Sequence, residues 1–244
     1  MLMRSMVLLF ACSCLAPAWA EESAVEADLV LVGGTIVDGS GAEPFAGDVA
    51  IQGDQIVAVG VFTAVASAER VDCTGQVVAP GFIDLHNHSD FARTESDNPT
   101  VADLAITQAS TRSAANYLTQ GCTTIVTGNC GGGAIDVAAY YDYMAENPPG
   151  VNVAQLIPQG ALRNRVMGKV RRAATEEELT RMESIAHEAM LAGAWGMSTG
   201  LQYVPSSYAD TDELVRIAKV VHSHGGIYAS HMRDEGDELL EAVD

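Results

Sequence analysis

Val77-Val78-Ala79-Pro80-Gly81-Phe82-Ile83-Asp84-Leu85-His86-Asn87-His88 is an apolar run that closes on two histidines one residue apart. On a β-strand, positions i and i+2 point to the same face. The spacing predicts a strand whose carboxyl end carries two imidazoles side by side, half of a metal site. The other reading of a bare His-x-His is a pair of loop histidines without a ligand. The apolar run leading into Asp84-Leu85-His86 weighs toward metal.

Downstream of Gly81, apolar runs alternate with helical patterns. Asn98-Pro99 offers a cap followed by proline at the first helical position, and predicts a helix through Val101, Leu104, Ala105, Tyr117 and Leu118 that stops at Gly121. Thr175 and Glu178 form a capping box before the stripe Leu179, Met182, Ile185, Met190. Asp210 and Glu213 repeat the pattern before Leu214, Ile217 and Val221. Strand-like runs follow at Thr123 to Thr127, Trp195 to Ser198 and Ile227 to Ser230, with Val151 to Ile157 a further candidate. Together with the run ending at His86, five strands alternate with helices, which implies a parallel α/β sheet. An eightfold barrel needs roughly 250 residues, more than remain after Gly81. The sheet is therefore open, or the chain stops part-way round a barrel.

Upstream, Asp28 to Val78 reads as all-β. Leu29 to Val32 is a short apolar run broken by Gly33-Gly34. Val49 and Ile51, then Gly53-Asp54, then Ile56 to Val59 read as a tight hairpin.

Of 244 residues, 48% are hydrophobic and 18% charged, which suits a packed core and argues against disorder. The net charge of −19 leaves no basic patch for a phosphate backbone, so nucleic acid is not expected as a partner. Residues 1–20 read as a signal peptide: Arg4, then the apolar Met6 to Leu15, then Ala18-Trp19-Ala20 as a cleavage site. The run is too short to span a bilayer, so export to the periplasm or outside is expected, with no stable membrane span after cleavage. Cleavage would leave Cys73, Cys122 and Cys130, an odd number and too few for a disulfide framework.

In parallel α/β folds, functional groups sit at the carboxyl ends of strands. Here those ends carry His86 and His88, then Thr127-Gly128-Asn129-Cys130 before Gly131-Gly132-Gly133, then Tyr228-Ala229-Ser230-His231. Thiolate and imidazole together suit Zn²⁺ better than Mg²⁺ or Ca²⁺, which prefer oxygen. Cys130 read blandly is a buried thiol, but the glycines after it let backbone crowd a ligand. Cys122 reads as a core thiol, and Cys73 has no role. His222 and His224 complement a helix dipole, and His187 faces solvent. Tyr203 lies in a loop on the same rim, placed to donate to a substrate oxyanion. Arg233 either holds a substrate carboxylate or pairs with Asp234 or Asp237.

Gly33-Gly34-Thr35-Ile36-Val37-Asp38-Gly39 and Ala79 to His88 resemble the amidohydrolase superfamily. Thr124 to Gly131, Ser198 to Pro205 and Tyr228 to Gly236 narrow the resemblance to the N-acyl-D-amino-acid deacylases. It covers Asp28 to the end. It implies an α/β fold, a partial TIM-like (β/α) barrel with a small N-terminal β-sandwich domain. Residues 27–80 would be the sandwich and 81–244 the first part of a truncated barrel. It implies zinc held by Cys130 and His231, a second, weaker metal position at His86 and His88, and Tyr203 near the substrate. The implied reaction is zinc-dependent hydrolysis of an N-acyl-D-amino acid, a small-molecule substrate, to a carboxylate and a free D-amino acid.

The chain departs from the pattern in three ways. A further histidine ligand and a catalytic aspartate would lie beyond Asp244, so the fragment alone is expected to be inactive. The His88–Cys130 spacing suggests an insertion around Glu95 to Ala115. Gln159, before Gly160-Ala161-Leu162-Arg163, stands where the resemblance leads one to expect a histidine. Two alternatives remain at this point. One is a cyclic-amide hydrolase of the dihydroorotase or hydantoinase type, which uses a carboxylated lysine on the fourth strand; Trp195 to Gly200 has no lysine. The other is a non-catalytic metal-binding fragment.

Overall fold

A computed structural model of the chain describes residues 24–93 and 100–243. The expected signal peptide and the Asn98-Pro99 helix start lie outside the described residues. The chain divides into two compact units at Pro80–Gly81.

The first unit carries one five-stranded mixed sheet: β1 (Leu29–Ile36), β2 (Phe45–Gln52), β3 (Gln55–Gly60), β4 (Glu69–Asp72) and β5 (Val77–Val78). The order is β3-β2-β1-β4, and β5 also pairs with β1. The hairpin turns at Gly53-Asp54 as the sequence indicates. Gly33-Gly34 does not end its strand. The ladder shifts register between Leu31 and Gly34 and continues to Ile36. Gly33 sits at φ +72, where glycine absorbs the extra residue of a bulge without strain. Val30 faces Ala50 directly across the ladder, and both are fully buried. With Ala27, Ala64 and Ala68 they form a core of mostly small side chains.

The second unit is a curled parallel half-barrel. Its strands are β6 (Phe82–Asp84), β7 (Cys122–Thr127), β8 (Asn152–Pro158), β9 (Gly196–Gly200) and β10 (Ile227–His231), in the order β10-β9-β8-β7-β6. Every pairing is parallel and sequential, so all five carboxyl ends lie on one rim. The helices are α1 (Ala115–Leu118), α2 (Val137–Glu146), α3 (Gln159–Met167), α4 (Glu176–Leu191), α5 (Thr211–Ser223) and α6 (Leu239–Val243).

The capping box opens α4: Thr175 Oγ1 accepts the Glu178 N–H, and the Glu178 carboxylate accepts the Thr175 N–H. Leu179, Met182, Ala186, Ala189 and Met190 are buried along one stripe of it. Met182, Ala186, Ala189 and Met190 pack with Ile157, Met197, Ile217 and Val221. Burying each large apolar side chain there is worth roughly 1.5–3 kcal/mol. On α5 only half of the box forms. Asp210 caps Glu213 N–H, but the Glu213 carboxylate turns inward to Gln159 and Arg163.

The single helix expected across 98–121 is not there in the described residues. Val101–Asp103 and Ala105–Thr107 are separate 3-10 turns, and only Ala115–Leu118 is α-helical. Side-chain hydroxyls compete for the carbonyls a helix would use: Thr107 Oγ1 donates to Val101 O (2.8 Å) and Leu104 O (2.7 Å). Ala114, at φ 49, then breaks the run. Conversely, α3 gives no sequence signal because Gln159, Gly160, Leu162 and Arg163 are all buried, leaving no amphipathic period.

Candidate metal centre

His86 and His88 lie beyond their strand, which ends at Asp84. The strand pleat therefore does not align them. The loop does, and the two rings meet edge to face with centroids 5.5 Å apart. Asn87 between them is buried and anchors the loop, its Nδ2 donating to Val126 O at 3.0 Å and its Oδ1 accepting from the Ser89 N–H and hydroxyl.

After β7 the chain makes a tight 3-10 turn, Asn129–Gly131, that holds Cys130 at φ 52, ψ 31. A left-handed conformation at a non-glycine residue costs roughly 1–2 kcal/mol. Such a cost persists where the surroundings over-determine it, which is common at functional sites. Here they do. Gly128 precedes the turn at φ +80, and a Cβ there would come within 2.2 Å of Leu156 O. Asn129 Nδ2 donates to Val126 O at 2.8 Å and to Leu85 O at 3.3 Å. Gly131 N–H donates to Ser198 Oγ at 3.0 Å, and that hydroxyl donates to Gly128 O.

The turn brings Cys130 Sγ to 3.4 Å from His86 Nε2 and 3.6 Å from His231 Nδ1. The ligand atoms of His86, His88 and Cys130 all lie within 4.8 Å of one another. Zn–S of about 2.3 Å and Zn–N of about 2.05 Å at the tetrahedral angle place S and N roughly 3.6 Å apart, so these separations fit a shared ion. Nε2 of His231 faces two acceptors, Gln202 Oε1 at 3.0 Å and Glu235 Oε1 at 3.3 Å. With its proton on Nε2, His231 turns the Nδ1 lone pair toward Cys130, the arrangement a metal-ligating imidazole uses. Burial pushes the Cys130 thiol up, with the Glu235 charge adding to it. Burial, then the neighbouring His86 and His231, hold His88 below its usual range.

Tyr203 joins the centre, its hydroxyl 3.4 Å from His231 Nδ1. Tyr203 and Cys130 line one cavity of about 330 Å³. A larger cavity of about 550 Å³ opens between α2, α3 and α4, but it carries none of the four donor residues. Arg233 makes no ion pair with Asp234 or Asp237 among the described residues. Its guanidinium donates to Ala209 O at 2.8 Å and Ser207 O at 3.4 Å. Cys122 is half-buried rather than a core thiol; it opens β7 at the end of the sheet opposite the site's rim. His187 is not simply solvated. Its Nδ1 lies 2.9 Å from Nε2 of His224.

Sequence reasoning missed one group, Asp90, and marked another, Gln159, without giving it a role. Asp90 is buried, and desolvation pushes its carboxyl up to about 6, against the lowering effect of the Gly128 N–H it accepts. A short acid two residues past His88, before a described segment of mixed turns, gave no periodic signal. Gln159 fills the place where a histidine was expected. It donates to Glu213 Oε1 and accepts from Ser206, whose Oγ also accepts the Gly200 N–H. It braces the loop that carries Tyr203.

Residues 69–242 match the model of the amidohydrolase family, and the chain belongs to that family. It is 37% identical over 242 residues to a D-aminoacylase of Alcaligenes xylosoxydans xylosoxydans, covering 89% of this chain and 46% of the relative. A crystal structure of D-aminoacylase superposes with a TM-score of 0.77 at 35% identity, covering 88% of this chain and 47% of that one. The N-acyl-D-glutamate deacylase of Bordetella bronchiseptica, solved with zinc and a phosphonate mimic of the tetrahedral intermediate, superposes with a TM-score of 0.74 at 31% identity. It covers 90% of this chain and 48% of that one. The chain spans about half the length of the relatives it matches. Among the described residues, no helix is long and apolar enough to cross a membrane.

Proposed function

We propose that the chain forms the zinc-binding part of an exported hydrolase that cleaves the amide bond of N-acyl-D-amino acids to a carboxylate and a free D-amino acid. The observation that carries this reading is Cys130 Sγ standing within 3.6 Å of His231 Nδ1 and 3.4 Å of His86 Nε2. A thiolate among imidazoles is a zinc donor set. The relatives' activities, D-aminoacylase and N-acyl-D-glutamate deacylase, support this substrate class.

In this reading Cys130 and His231 hold the ion, and His86 with His88 offer the second, weaker position. A bound zinc ion supplies Lewis acidity and activates water for attack on an acyl carbonyl. Gln202 and Glu235 keep the His231 proton on Nε2. The Tyr203 hydroxyl donates to the oxygen on which charge develops. Arg233 holds the Ser207 and Ala209 carbonyls of the turn that follows Tyr203. The absence of lysine from β9 (Gly196–Gly200) weighs against the cyclic-amide alternative.

Zinc content after equilibrium dialysis tests the reading. The chain is expected to retain zinc and Cys130→Ala to lose it. Stoichiometric zinc in Cys130→Ala would sink the proposal.

A further inference from the structure

We infer that Asp90 is a positioning residue that locks the cysteine turn onto the histidine loop and thereby sets the zinc affinity of the centre. The inference rests on the zinc reading above. Asp90 is buried, and its Oδ2 accepts the Gly128 N–H at 2.7 Å. Gly128 is the residue from which the chain enters the left-handed turn at Cys130. Two residues past the turn, a Cβ added to Gly133 would come within 2.5 Å of Asp90 Oδ2 and 3.2 Å of Gly128 Cα. The carboxylate therefore sits against Gly128 and Gly133, which flank the turn on either side.

Asp90 belongs to the loop that carries His86 and His88. Asn87 also joins the two loops, but its amide reaches Val126 O, before the turn begins. Asn129 reaches back to Leu85 O and Val126 O. Ser198 holds the turn from β9, the opposite side. Asp90 ties the N–H of Gly128, the residue immediately before the turn, to the histidine loop. A shift of its acceptor oxygen moves Cys130 relative to His86, and the shared site loses its bite. What matters is where the acceptor sits, so a neutral acceptor at the same place serves as well. A displaced carboxylate does not.

Three substitutions separate position from charge. Asp90→Asn keeps the acceptor and drops the charge. Asp90→Glu keeps the charge and displaces the acceptor. Asp90→Ala removes both. Zinc affinity is read by chelator competition, and thiolate coordination by the charge-transfer absorption of the Co²⁺-loaded chain. Asp90→Asn is expected to bind zinc within about threefold of the parent, whereas Asp90→Glu and Asp90→Ala weaken it by about tenfold or more, the range for an outer-shell partner, and shift or weaken the Co²⁺ band. If Asp90→Ala does not fold, the Asn and Glu variants decide alone. Met182→Ala, in the helix layer away from the centre, controls for general destabilisation and is expected to leave zinc affinity unchanged.

The inference is overturned if Asp90→Glu binds zinc as tightly as the parent, if Asp90→Asn weakens binding as far as Asp90→Glu does, or if Met182→Ala weakens it equally. Cys130→Ala, run alongside, distinguishes the two levels. Zinc lost in Cys130→Ala but unmoved by any change at Asp90 defeats only the positioning role. Zinc retained in Cys130→Ala defeats the zinc reading beneath it.

Discussion

Cys130 Sγ and His231 Nδ1 lie 3.6 Å apart although 101 residues of chain separate them. Their strands, β7 and β10, have β8 and β9 between them in the sheet. Three strand spacings of about 4.8 Å would put them roughly 14 Å apart in a flat sheet. The contact exists because the sheet curls and both strand-end segments turn inward over the rim. If that convergence is a metal centre, zinc must shield the thiol. Alkylation of Cys130 by iodoacetamide, followed by peptide mass spectrometry, is expected to slow by about tenfold or more on adding zinc to the intact chain. In His231→Ala the protection should largely vanish. Equal alkylation rates with and without zinc would break the link between the two residues.

Gly200, the last residue of β9, passes against the cysteine turn. A Cβ there would meet Cys130 O at 2.1 Å and the Tyr203 ring at 2.9 Å. Backbone cannot retreat as a flexible side-chain end can, so Gly200→Ala should push the cysteine turn off its place. Overpacking of this kind costs about 1–3 kcal/mol. The expected result is a lowered urea midpoint together with zinc affinity reduced by about tenfold or more. Unchanged affinity with a lowered midpoint would mean that the turn tolerates the shift.

Much of this arrangement was legible in the sequence because two simple periodicities govern it. Apolar runs separated by capped amphipathic stripes marked β7 to β10, α4 and α5. The rule that parallel strands deliver function at their carboxyl ends then put Cys130 and His231 on one rim. The rule reached His86 and His88 for a less secure reason: the strand stops at Asp84, and it is loop geometry, not the pleat, that brings the rings together. Where side chains rather than periodicity shape the backbone, sequence reading failed. Thr107 and Thr111 draw off the carbonyls of Val101, Leu104 and Ala105 and replace the expected helix with turns. Asp90 gave no signal, and Gln159 was marked only as a departure without a role, because their partners, Gly128, Glu213 and Ser206, lie 38 or more residues away.

The start of α4 carries a pH-dependent clamp. Arg172 grips both oxygens of Glu178 at 2.7 Å, and the carboxylate also accepts the Thr175 N–H. Arg172, with the Thr175 N–H, holds the Glu178 carboxyl down at about 2. A carboxyl with a depressed folded-state value contributes stability above its unfolded value, near 4.3. That contribution drains away as pH falls toward 2. Urea midpoints of the parent and Glu178→Gln should therefore differ most at neutral pH and converge in acid. The gap should stay small, since exposed pairs are worth about 0.2–1 kcal/mol. A gap that widens below pH 4 would contradict the clamp.

Arg163 and Glu213 form an ion pair with both side chains essentially inaccessible to solvent. Arg163 also donates to Arg172 O at 2.6 Å, while its Nε has no partner. Glu213 bonds Gln159, which takes the Ser206 hydroxyl below the Tyr203 loop. Desolvation pushes the Glu213 carboxyl up, and the Arg163 charge opposes it. Losing one partner strands the other charge in the interior, at about 3–5 kcal/mol. Glu213→Ala should therefore cost that much, read as a drop in the urea-extrapolated unfolding free energy. Replacing both charges with apolar side chains of similar volume, Arg163→Met with Glu213→Leu, should recover most of the loss, because buried pairs are often no more stabilising than well-packed hydrophobes. The double variant still leaves Gln159 Nε2 without its acceptor, so the Tyr203 loop should loosen even where stability returns. Faster proteolysis within residues 201–208 in the double variant than in the parent is the signature of that coupling. An unchanged cleavage pattern would show that Gln159 does not brace the loop.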